Sequence, residues 1–385
     1  MPHKELERLN LVIASHIFAT GPALELEEYL KNKVATLTFI GHPFSFAKER
    51  KSFYRSYTNK RLLITHTFPL YMPTFLFYFR DAFFTFWWTF KQGNIDLFIG
   101  SDNFLSFIGI LLKKFGRVDK VILYTIDYQP RRFKNSILNY LYHYFDKMCL
   151  ENCTAVWNVS DAITDAREKY GKLNRHKNAL QITVPLGIWY QRIPKLPLSK
   201  RERYRIVFMG HLLEKQGLQM VIEALPRVLE SLPKAQLVVI GTGEYEKNLK
   251  ALVAEKKLDG NVKFLGYIES HKKVENELAK SVIAVATYKP DPESFTYYAD
   301  PGKIKNYLAA SLPVMLTMVP PIAKEIAQKK AAIICNYDST DIANKIISLL
   351  SNESKLQEYS KNASKFAKKF DWNIVFENAI SQSFL

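Results

Sequence analysis

The second half of the chain alternates short apolar runs with amphipathic stretches of helical length, and this alternation limits its possible folds more than any other feature. Each apolar run is typical of a buried strand, and each amphipathic stretch has the residue spacing of a helix. Strands are expected over 205–210, 235–243, 261–268 and 281–287, and helices over 217–232, 244–258 and 271–281. This pattern predicts βαβ units and a doubly wound parallel sheet, with ligand-binding loops at the carboxyl ends of its strands.

The first half repeats this alternation with more interruptions. Strands are expected over 10–15, 33–41, 61–68, 96–101, 121–126 and 154–160, and helices over 104–116 and 135–153. The segment 188–203 has two prolines and no steady period, so it is the best linker candidate. A chain of 385 residues suits two cores of ordinary size. We therefore expect an N-terminal α/β domain over 1–187 and a C-terminal one over 204–370.

Composition excludes several other classes of protein. With 48% hydrophobic and 24% charged residues, the chain is neither disordered nor a repetitive fibre. Its three cysteines, Cys149, Cys153 and Cys335, are odd in number and lack metal-ligand spacing, which indicates a reducing compartment without a disulfide framework or zinc site. The first ten residues have no apolar signal-peptide core, so a cytoplasmic location is expected.

The net charge of +17 is unevenly distributed along the chain. Residues 1–200 contribute +12 and residues 201–385 only +5, and most of the Phe and Trp residues also lie in the first part. A surface that is both basic and aromatic suits either a nucleic acid or a membrane. No nucleic-acid recognition motif accompanies the charge, so a nucleic-acid partner is not expected.

The aromatic segment 69–90 allows three interpretations. Its length approaches that of a membrane span, but Arg80 and Asp81 lie at its centre, and two prolines, Pro69 and Pro73, interrupt its start. A buried helix of the first domain is the simplest alternative. The third is a helix whose aromatic face lies in the bilayer interface, assisted by nearby basic residues.

Three loops of the second half have the character of anion sites. Gly210 ends a strand, and Lys215 lies in the polar loop before the next helix, where backbone N–H groups and the helix dipole favour a diphosphate. Gly241 and Gly243 form a second such turn, although glycines at these turns are commonly only a backbone requirement. In the third loop, a helix is expected to start near Pro301 and to carry Lys303 on an outward-facing first turn.

These motifs resemble those of the retaining, nucleotide-sugar-dependent GT-B glycosyltransferases, in the family-four group known as glycosyl transferases group 1. The resemblance is firm over 203–378, through "GHLLEKQGL", "LVVIGTGEYEKNLKAL", "VKFLGYI", "ADPGKIKNYLAASLPV" and "FDWNIVFENAI" in the family's order and spacing. It is weaker over 1–187, where it depends on strand order and on "YTIDYQP", "VWNVSDA" and "VPLGI". It implies two Rossmann-like domains facing across a cleft, with a terminal helix, 371–385, packing back on the first.

The resemblance also assigns a donor site. Family members commonly have Arg and Lys where this chain has His211 and Gln216, and a glutamate where it has Asn306. Glu293 matches the first of the family's two glutamates, and it would support the electron-poor sugar ring. The implied donor-binding residues are Gly210, His211, Lys215, Gln216, Gly241, Gly243, Ser294, Phe295, Thr296, Asp300, Pro301, Gly302, Lys303 and Asn306.

The implied reaction is hexosyl transfer from a UDP- or GDP-sugar to a hydroxyl of a lipid-linked or polysaccharide acceptor, with retention of configuration. No metal or other cofactor is expected, since no Asp-x-Asp motif occurs and basic residues can stabilise the departing diphosphate. Two alternatives remain: a nucleotide-sugar epimerase of the same fold and a non-catalytic sugar- or nucleotide-binding protein. Peripheral contact with the inner face of the membrane is expected through 69–90 and the basic N-terminal surface.

The acceptor side is assigned to residues that follow strands of the first half. Asp127 could orient the acceptor hydroxyl or take its proton, or it could cap a helix or pair with Arg131 or Arg132. With Asp127 and Glu293, His16 is the third catalytic candidate, although a lone histidine is more often structural. The acceptor-binding candidates are Thr20, Gly21, Asp102, Asn103, Arg131 and Arg132.

Overall fold

The computed structural model describes residues 6–17, 21–44, 51–68, 76–171, 173–291 and 300–384. They form two compact units. The first contains the chain up to Pro185 together with Trp372 onward, and the second contains Leu186–Asp371. The terminal residues thus belong to the first unit, and the segment 188–203 belongs to the second unit instead of linking the two.

The first unit contains an eight-stranded sheet with helices between its strands. Its strands are β1 (Asn10–Ile17), β2 (Thr36–Pro43), β3 (Ser52–Thr58), β4 (Arg61–Phe68), β5 (Ile95–Gly100), β6 (Val118–Thr125), β7 (Ala155–Asn158) and β8 (Leu180–Thr183). The helices among its first 185 residues are α1 (Pro22–Leu30), α2 (Phe77–Lys91), α3 (Asn103–Lys114), α4 (Ser136–Asn152) and α5 (Asp161–Gly171).

The strand order of this sheet is β4-β3-β2-β1-β5-β6-β7-β8. Only β3 pairs antiparallel with both of its neighbours, and the other pairs are parallel. Strand β3 was not expected from the sequence. Its SFYRSYT stretch has little apolar character, and it forms because Asn59 and Lys60, both at positive φ, turn the chain back into β4.

The second unit contains a six-stranded sheet whose pairs are all parallel. Its strands are β9 (Arg205–Met209), β10 (Gln236–Ile240), β11 (Val262–Gly266), β12 (Ile283–Ala286), β13 (Val314–Leu316) and β14 (Ala332–Ile334). Its helices are α6 (Leu218–Ser231), α7 (Glu246–Glu255), α8 (His271–Ala279), α9 (Gly302–Ala309), α10 (Ala323–Gln328), α11 (Ser339–Leu350) and α12 (Glu353–Ala367). The strand order is β11-β10-β9-β12-β13-β14, which is the doubly wound order. The predicted α/β fold class is confirmed.

Each sheet reverses its strand order once. The reversal lies between β1 and β5 in the first unit and between β9 and β12 in the second. At such a point the loops that leave the two adjacent strands run in opposite directions and open a crevice at their carboxyl ends. The residues that follow β1, β5, β9 and β12 are therefore the ones that the fold brings to binding sites.

The helix of the aromatic segment is α2, and residues 69–75 before it lie outside the described part of the chain. Arg80 and Asp81 are buried in it and form an ion pair of 2.7 Å. Phe84 and Trp88 pack in the core of the first unit, while Phe79 is 72% exposed. None of the helices in the described residues is both long and apolar enough to cross a bilayer.

The last helix, α13 (Trp372–Ser383), packs within the first unit. Phe376 is fully buried and lies 5.4 Å from the Tyr29 ring, and the indole N–H of Trp157 donates to Ser383 Oγ at 2.8 Å. Burial of one face of this helix links the end of the chain to its first strands and helices.

This packing predicts a stability difference between two residues of α13. Phe376→Ala should lower the free energy of unfolding by about 3–5 kcal/mol, because it leaves a cavity among buried rings. Ile374→Ala, at a position that is 43% exposed, should change it by less than about 1 kcal/mol. Chemical denaturation monitored by Trp fluorescence measures both. Equal losses for the two variants would contradict this packing.

Candidate functional site

The crevice of the second unit is bounded by the turn after β9, the chain after β12 and the start of α9. Gly217 has φ +74°, and a Cβ there would overlap the carbonyl oxygen of Thr287, which follows β12. The Thr287 hydroxyl also donates to the Gly217 carbonyl oxygen at 2.8 Å. Only glycine allows this approach, so Gly217 fixes the β9 turn against the end of β12.

The turn at Gly241 and Gly243 has a structural explanation. A Cβ on Gly241 would overlap the carbonyl oxygen of Gly210, and one on Gly243 would overlap the backbone of Leu212. Leu212 N–H also donates to the Thr242 carbonyl oxygen at 2.9 Å. These contacts make the two glycines packing residues that hold the Gly210 turn in place, and their assignment as donor contacts stays a prediction.

Lys303 extends into this crevice from the first turn of α9. Its ammonium donates to Gln216 Oε1 at 2.5 Å, and it lies 4.4 Å and 4.7 Å from the centroids of the Phe208 and Tyr288 rings. A Cβ on Gly210 would be 3.5 Å from its Nζ. The expectation of an outward-facing lysine is wrong, because α9 starts against the end of β9 and directs this side chain inward.

Burial lowers the pKa of Lys303 to about 7. Its polar partner among the described residues is the neutral amide of Gln216, so no carboxylate offsets the loss of hydration. An anion placed beside Nζ would restore the charged form. Gln216 is at the position where the family commonly has a lysine, and it accepts a hydrogen bond from Lys303 of helix α9.

The other basic candidates lie at the rim of the crevice. His211 is exposed, and its imidazole has no hydrogen-bond partner in the described part of the chain. Lys215 is half-buried, and its carbonyl oxygen accepts from the Lys289 N–H at 3.0 Å. The exposed His211 side chain can reach an anion at this turn without breaking a core contact.

Asp300 is engaged in a buried ion pair. Its carboxylate accepts from the ammonium of Lys305 and, at 2.9 Å, from the Leu186 N–H. Lys305 Nζ also donates to the Leu186 carbonyl oxygen at 2.6 Å. This arrangement orients the carboxylate toward the protein interior, because a buried ammonium requires a counter-charge. Asp300 thus stabilises the start of α9, and its assignment as a donor contact stays a prediction. Lys305 was not singled out from the sequence.

The rest of the third loop is described in part. Pro301 precedes the first residue of α9, Gly302, one residue from the expected start. Asn306 is half-buried, and its side-chain amide donates to the Gly302 carbonyl oxygen at 3.1 Å, which leaves its amide oxygen available. The catalytic candidate Glu293 and the predicted donor-binding residues Ser294, Phe295 and Thr296 lie outside the described residues, as does the acceptor candidate Thr20.

The crevice of the first unit is centred on His16. Its Nδ1 lies 2.6 Å from Asp102 Oδ2, and its Nε2 lies 3.3 Å from Asp81 Oδ2. Asp102 follows β5 and also accepts from the Leu105 N–H at 2.9 Å, which caps α3. The side chains at the ends of two neighbouring strands thus meet with a residue of α2.

Asp81 belongs to a larger buried cluster. His42 Nδ1 lies 2.9 Å from Ser52 Oγ and 3.3 Å from Asp81 Oδ1, and its Nε2 lies 2.8 Å from Thr85 Oγ1. Arg80 adds a positive charge on the same carboxylate. Asp81 and His42 were not predicted as site residues. The one sequence signal was the charged pair at the centre of an apolar helix, since buried charges require partners.

The charges in this cluster fix the protonation of both imidazoles. Burial lowers the pKa of His16, but the negative charge of Asp102 and hydrogen bonds to Asp102 and Asp81 outweigh it and raise the pKa to about 10. Burial dominates at His42 and lowers its pKa. The raised pKa favours the imidazolium form of His16, which is not a base, and the role of His16 as a catalytic residue stays a prediction.

Asp127 and Arg132 form an exposed ion pair after β6. Arg132 Nη1 donates to Asp127 Oδ2 at 2.7 Å, which was one of the alternatives for this aspartate. The Asp127 side chain is 46% exposed and remains accessible to a ligand. Arg131 is exposed beside it.

Two other acceptor candidates have structural surroundings. The side-chain amide of Asn103 donates to the Tyr142 carbonyl oxygen at 2.9 Å, so it joins α3 to α4. This contact uses one of its two N–H groups, and its assignment as an acceptor-binding residue stays a prediction. Gly21 precedes α1 in an extended conformation, with no atom within 4 Å of a Cβ built on it. Space beside it is therefore open.

In the described ranges, no group of three or more His, Cys, Asp or Glu side chains is arranged to hold a metal ion. The sequence expectation of a metal-independent reaction remains a prediction. What the two crevices do offer is a half-buried lysine beside a glycine turn in the second unit and a buried imidazolium between two carboxylates in the first. The lysine is suited to binding an anion. The imidazolium is suited to holding the two carboxylates in a fixed position.

The His16 cluster predicts a dependence of stability on pH. A raised pKa stabilises the folded protein fully below the ordinary histidine value of about 6.5, and this contribution is lost as the pH rises through about 10. Asp102→Asn should therefore cost most stability below pH 6.5 and less toward pH 10. Denaturation across this range tests it, with the exposed Asp119→Asn as the control. A pH-independent cost for Asp102→Asn would contradict a charged His16.

The curated relatives match part of the chain. A poly(glycerol-phosphate) alpha-glucosyltransferase of Bacillus subtilis is 26% identical over 46% of this chain and 25% of its own length. A phosphatidyl-myo-inositol mannosyltransferase of Mycobacterium leprae is 22% identical over 50% of each chain. The chain thus spans half or less of the length of these relatives.

Solved structures match nearly the whole fold. The Anabaena protein HepE in complex with UDP superposes with a TM-score of 0.65 at 15% identity, covering 98% of this chain and 100% of that one. A sucrose-phosphate synthase of Thermosynechococcus elongatus gives a TM-score of 0.67 at 14% identity, covering 97% and 99%. These likenesses establish the GT-B arrangement of elements. Residues 191–366, which include the glycine turn and Lys303, match the family of glycosyl transferases group 1.

Proposed function

We propose that this protein is a retaining glycosyltransferase that moves a hexose from a UDP- or GDP-sugar to a hydroxyl of a lipid-linked or polysaccharide acceptor. The observation that carries the proposal is the half-buried Lys303 ammonium at the strand-order reversal, beside the Gly210 turn. The match of 191–366 to the glycosyl transferases group 1 family supports it.

In this proposal the second unit binds the nucleoside diphosphate. Cleavage of the anomeric bond places negative charge on the leaving diphosphate and oxocarbenium character on the sugar. Lys303, with His211 and Lys215 at the rim, would stabilise that charge at the position where it develops. Because Lys303 is already desolvated and held by Gln216, little reorganisation is needed when the charge appears.

The first unit would bind the acceptor. Asp127, exposed at the end of β6, would accept a hydrogen bond from the acceptor hydroxyl. Arg132 keeps that carboxylate in place. The His16 imidazolium, which lies between Asp102 and Asp81, would hold these two carboxylates in place and would not act as a base.

The acceptor class is inferred from surface chemistry and from the relatives. The two relatives named above are, by their names, enzymes acting on poly(glycerol phosphate) and on phosphatidyl-myo-inositol, a polymer and a lipid. Of the large hydrophobic side chains that are exposed in the described residues, all but Tyr267 and Met318 lie in the first unit. An acceptor in or on a membrane would account for this distribution.

The proposed membrane-contact surface is the outer face of α2 with the end of α3. Phe79, Phe83, Trp87 and Phe90 follow each other at helical spacing, and they are between 36% and 72% exposed. Phe115, at the end of α3, is 66% exposed.

Basic side chains border this surface. Lys91 lies 4.6 Å from the centroid of the Trp87 ring, and Arg117 lies 4.4 Å from that of Phe90, while Lys113 and Lys114 end α3. Aromatic rings between basic groups favour an interface with anionic lipid. We therefore propose a peripheral enzyme on the inner face of the membrane.

Lys303 makes donor binding depend on pH. UDP-glucose and GDP-mannose have no phosphate group that titrates near neutral pH, so each should bind with uptake of a proton by Lys303 above its pKa of about 7. The affinity of the preferred donor should then fall by up to about tenfold per pH unit as the pH rises above 7. Calorimetry in buffers of different ionisation enthalpy measures the proton uptake.

The matched variants are Lys303→Met and Lys289→Met. Lys303→Met should weaken donor binding by about ten- to a hundredfold and remove the proton uptake, because a charged hydrogen bond is lost. Lys289 is a 46% exposed lysine that pairs with Glu214, and its replacement should leave both quantities unchanged. Absence of binding and turnover with UDP- and GDP-sugars, even with membrane lipid extract as acceptor, would refute the transferase proposal.

Membrane contact can be measured by co-sedimentation with vesicles of phosphatidylcholine and phosphatidylglycerol. Replacement of both Phe79 and Phe83 by Ala should lower vesicle binding by about tenfold or more, since each ring contributes roughly 1.5–3 kcal/mol when removed from water. Binding should also weaken as salt rises, because of the basic border. Met318→Ala, at an exposed position of the second unit, is the control. If the double variant binds vesicles as well as the unmodified protein does, the membrane contact does not lie on this surface.

A further inference from the structure

A groove of about 1170 Å³ lies on the second unit, away from the Gly210 turn and Lys303. It runs over β10 and β11 between helix α8 and the segment around Pro194 and Leu196. No residue of the glycine turns or of α9 lines it. The proposed donor-binding residues therefore do not explain it.

The floor of the groove contains both polar and apolar side chains of β10 and β11. Successive side chains of a strand point to opposite faces, so Gln236 and Val238 share one face of β10, as Lys263 and Leu265 share one face of β11. The register places Gln236 beside Arg205, and Lys263 beside Val238. An apolar strip thus lies between polar side chains, and Leu265 remains half-exposed because no helix covers it.

The deep end of the groove contains an incompletely satisfied guanidinium. Arg205 is 8% exposed and pairs with Glu202 at 2.6 Å and with Glu277. Its Nε is buried and has no hydrogen-bond partner among the described residues. A buried donor without a partner costs free energy, so the protein does not fully satisfy the guanidinium at this end of the groove.

Neutral polar groups line the rest of the groove. The side-chain amides of Gln236 and Asn276 are exposed and have no intramolecular hydrogen bond within the described ranges. Tyr267, at the carboxyl end of β11, presents a ring that is 73% exposed. These groups combine donors, acceptors, an apolar strip and an aromatic platform, which suits the hydroxyls and C–H faces of a sugar chain.

Charge argues against a strongly anionic ligand. Glu277 pairs with Arg205 and with Lys280, so these groups compensate one another. The lining residues without an ion pair among the described residues are Lys263, Lys273 and Glu269, which leave one net positive charge. The groove crosses the face of the sheet as far as β9, so a peptide added as a strand at the β11 edge would not fill it.

We propose that this groove binds a neutral oligosaccharide segment, independently of the nucleotide-sugar site. It would hold part of a glycan chain beside β10 and β11 while the proposed transfer takes place at the crevice between β9 and β12. The inference deepens the proposed function by naming a second, non-catalytic contact for a polymeric acceptor. The role of this groove in transfer rests on the proposed function. Glycan binding by the groove does not, because it can be measured without turnover.

The test is native electrophoresis of the full chain in gels that contain soluble starch, dextran or yeast mannan, with dextran sulfate as the anionic arm. At least one neutral polysaccharide should retard the protein. Tyr267→Ala and the Gln236→Ala, Asn276→Ala double variant should each weaken that retardation by about tenfold. Tyr170→Ala, which removes a ring of similar exposure from the first unit, should not change it.

Two readouts separate this inference from the proposed function. Donor binding by calorimetry should be unchanged in the groove variants, and Lys303→Met should retain normal retardation. Lack of retardation by all three neutral polysaccharides overturns the inference, as does retardation by dextran sulfate alone. If Tyr267→Ala instead converts a dimer to a monomer in sedimentation, the groove is an interface between copies and the glycan site is refuted.

Discussion

The reversal of strand order in each sheet is the constraint on which the candidate sites depend. Parallel strands joined by right-handed crossovers must place their connecting helices on both faces, and the loops diverge where the order reverses. The residues after β9 and β12 therefore meet in the second unit, and those after β1 and β5 meet in the first. The candidate site residues lie at these two points because short side chains from neighbouring strands can meet where the strands end.

Burial of charge distinguishes structural from functional groups in this protein. Lys305 is buried with Asp300, and Arg80 is buried with Asp81, so each cation has a carboxylate that offsets its loss of hydration. Lys303 contrasts with these pairs, since its polar partner among the described residues is a neutral amide and its pKa falls to about 7. A cation kept under-compensated at a crevice is the arrangement that an anionic ligand completes.

Much of the fold followed from apolar periodicity. The strand and helix pattern predicted most strands of both sheets, because a parallel strand is a short apolar run whichever strands flank it. The short strands β8 and β14 were not predicted. Strand β3 was missed, since its mixed SFYRSYT composition gains strand character only from the neighbours β2 and β4. In the site, the glycine turn and Lys303 could be found from local sequence, whereas the Asp81–His16–Asp102 arrangement joins residues from three distant segments.

The sequence by itself determined the two α/β units, the glycine turn after β9 and the basic, aromatic character of the first half, because each depends on the order and type of neighbouring residues. Only the tertiary structure decided which charged groups are free to act. Asp300 and Lys303 are three residues apart, yet their partners differ. The Asp300 carboxylate pairs with the buried ammonium of Lys305, whereas the Lys303 ammonium donates to Gln216. The elements that bury a charged side chain and supply its counter-charge are distant in sequence. They determine the hydration and the pKa of that side chain, so local sequence does not encode either property.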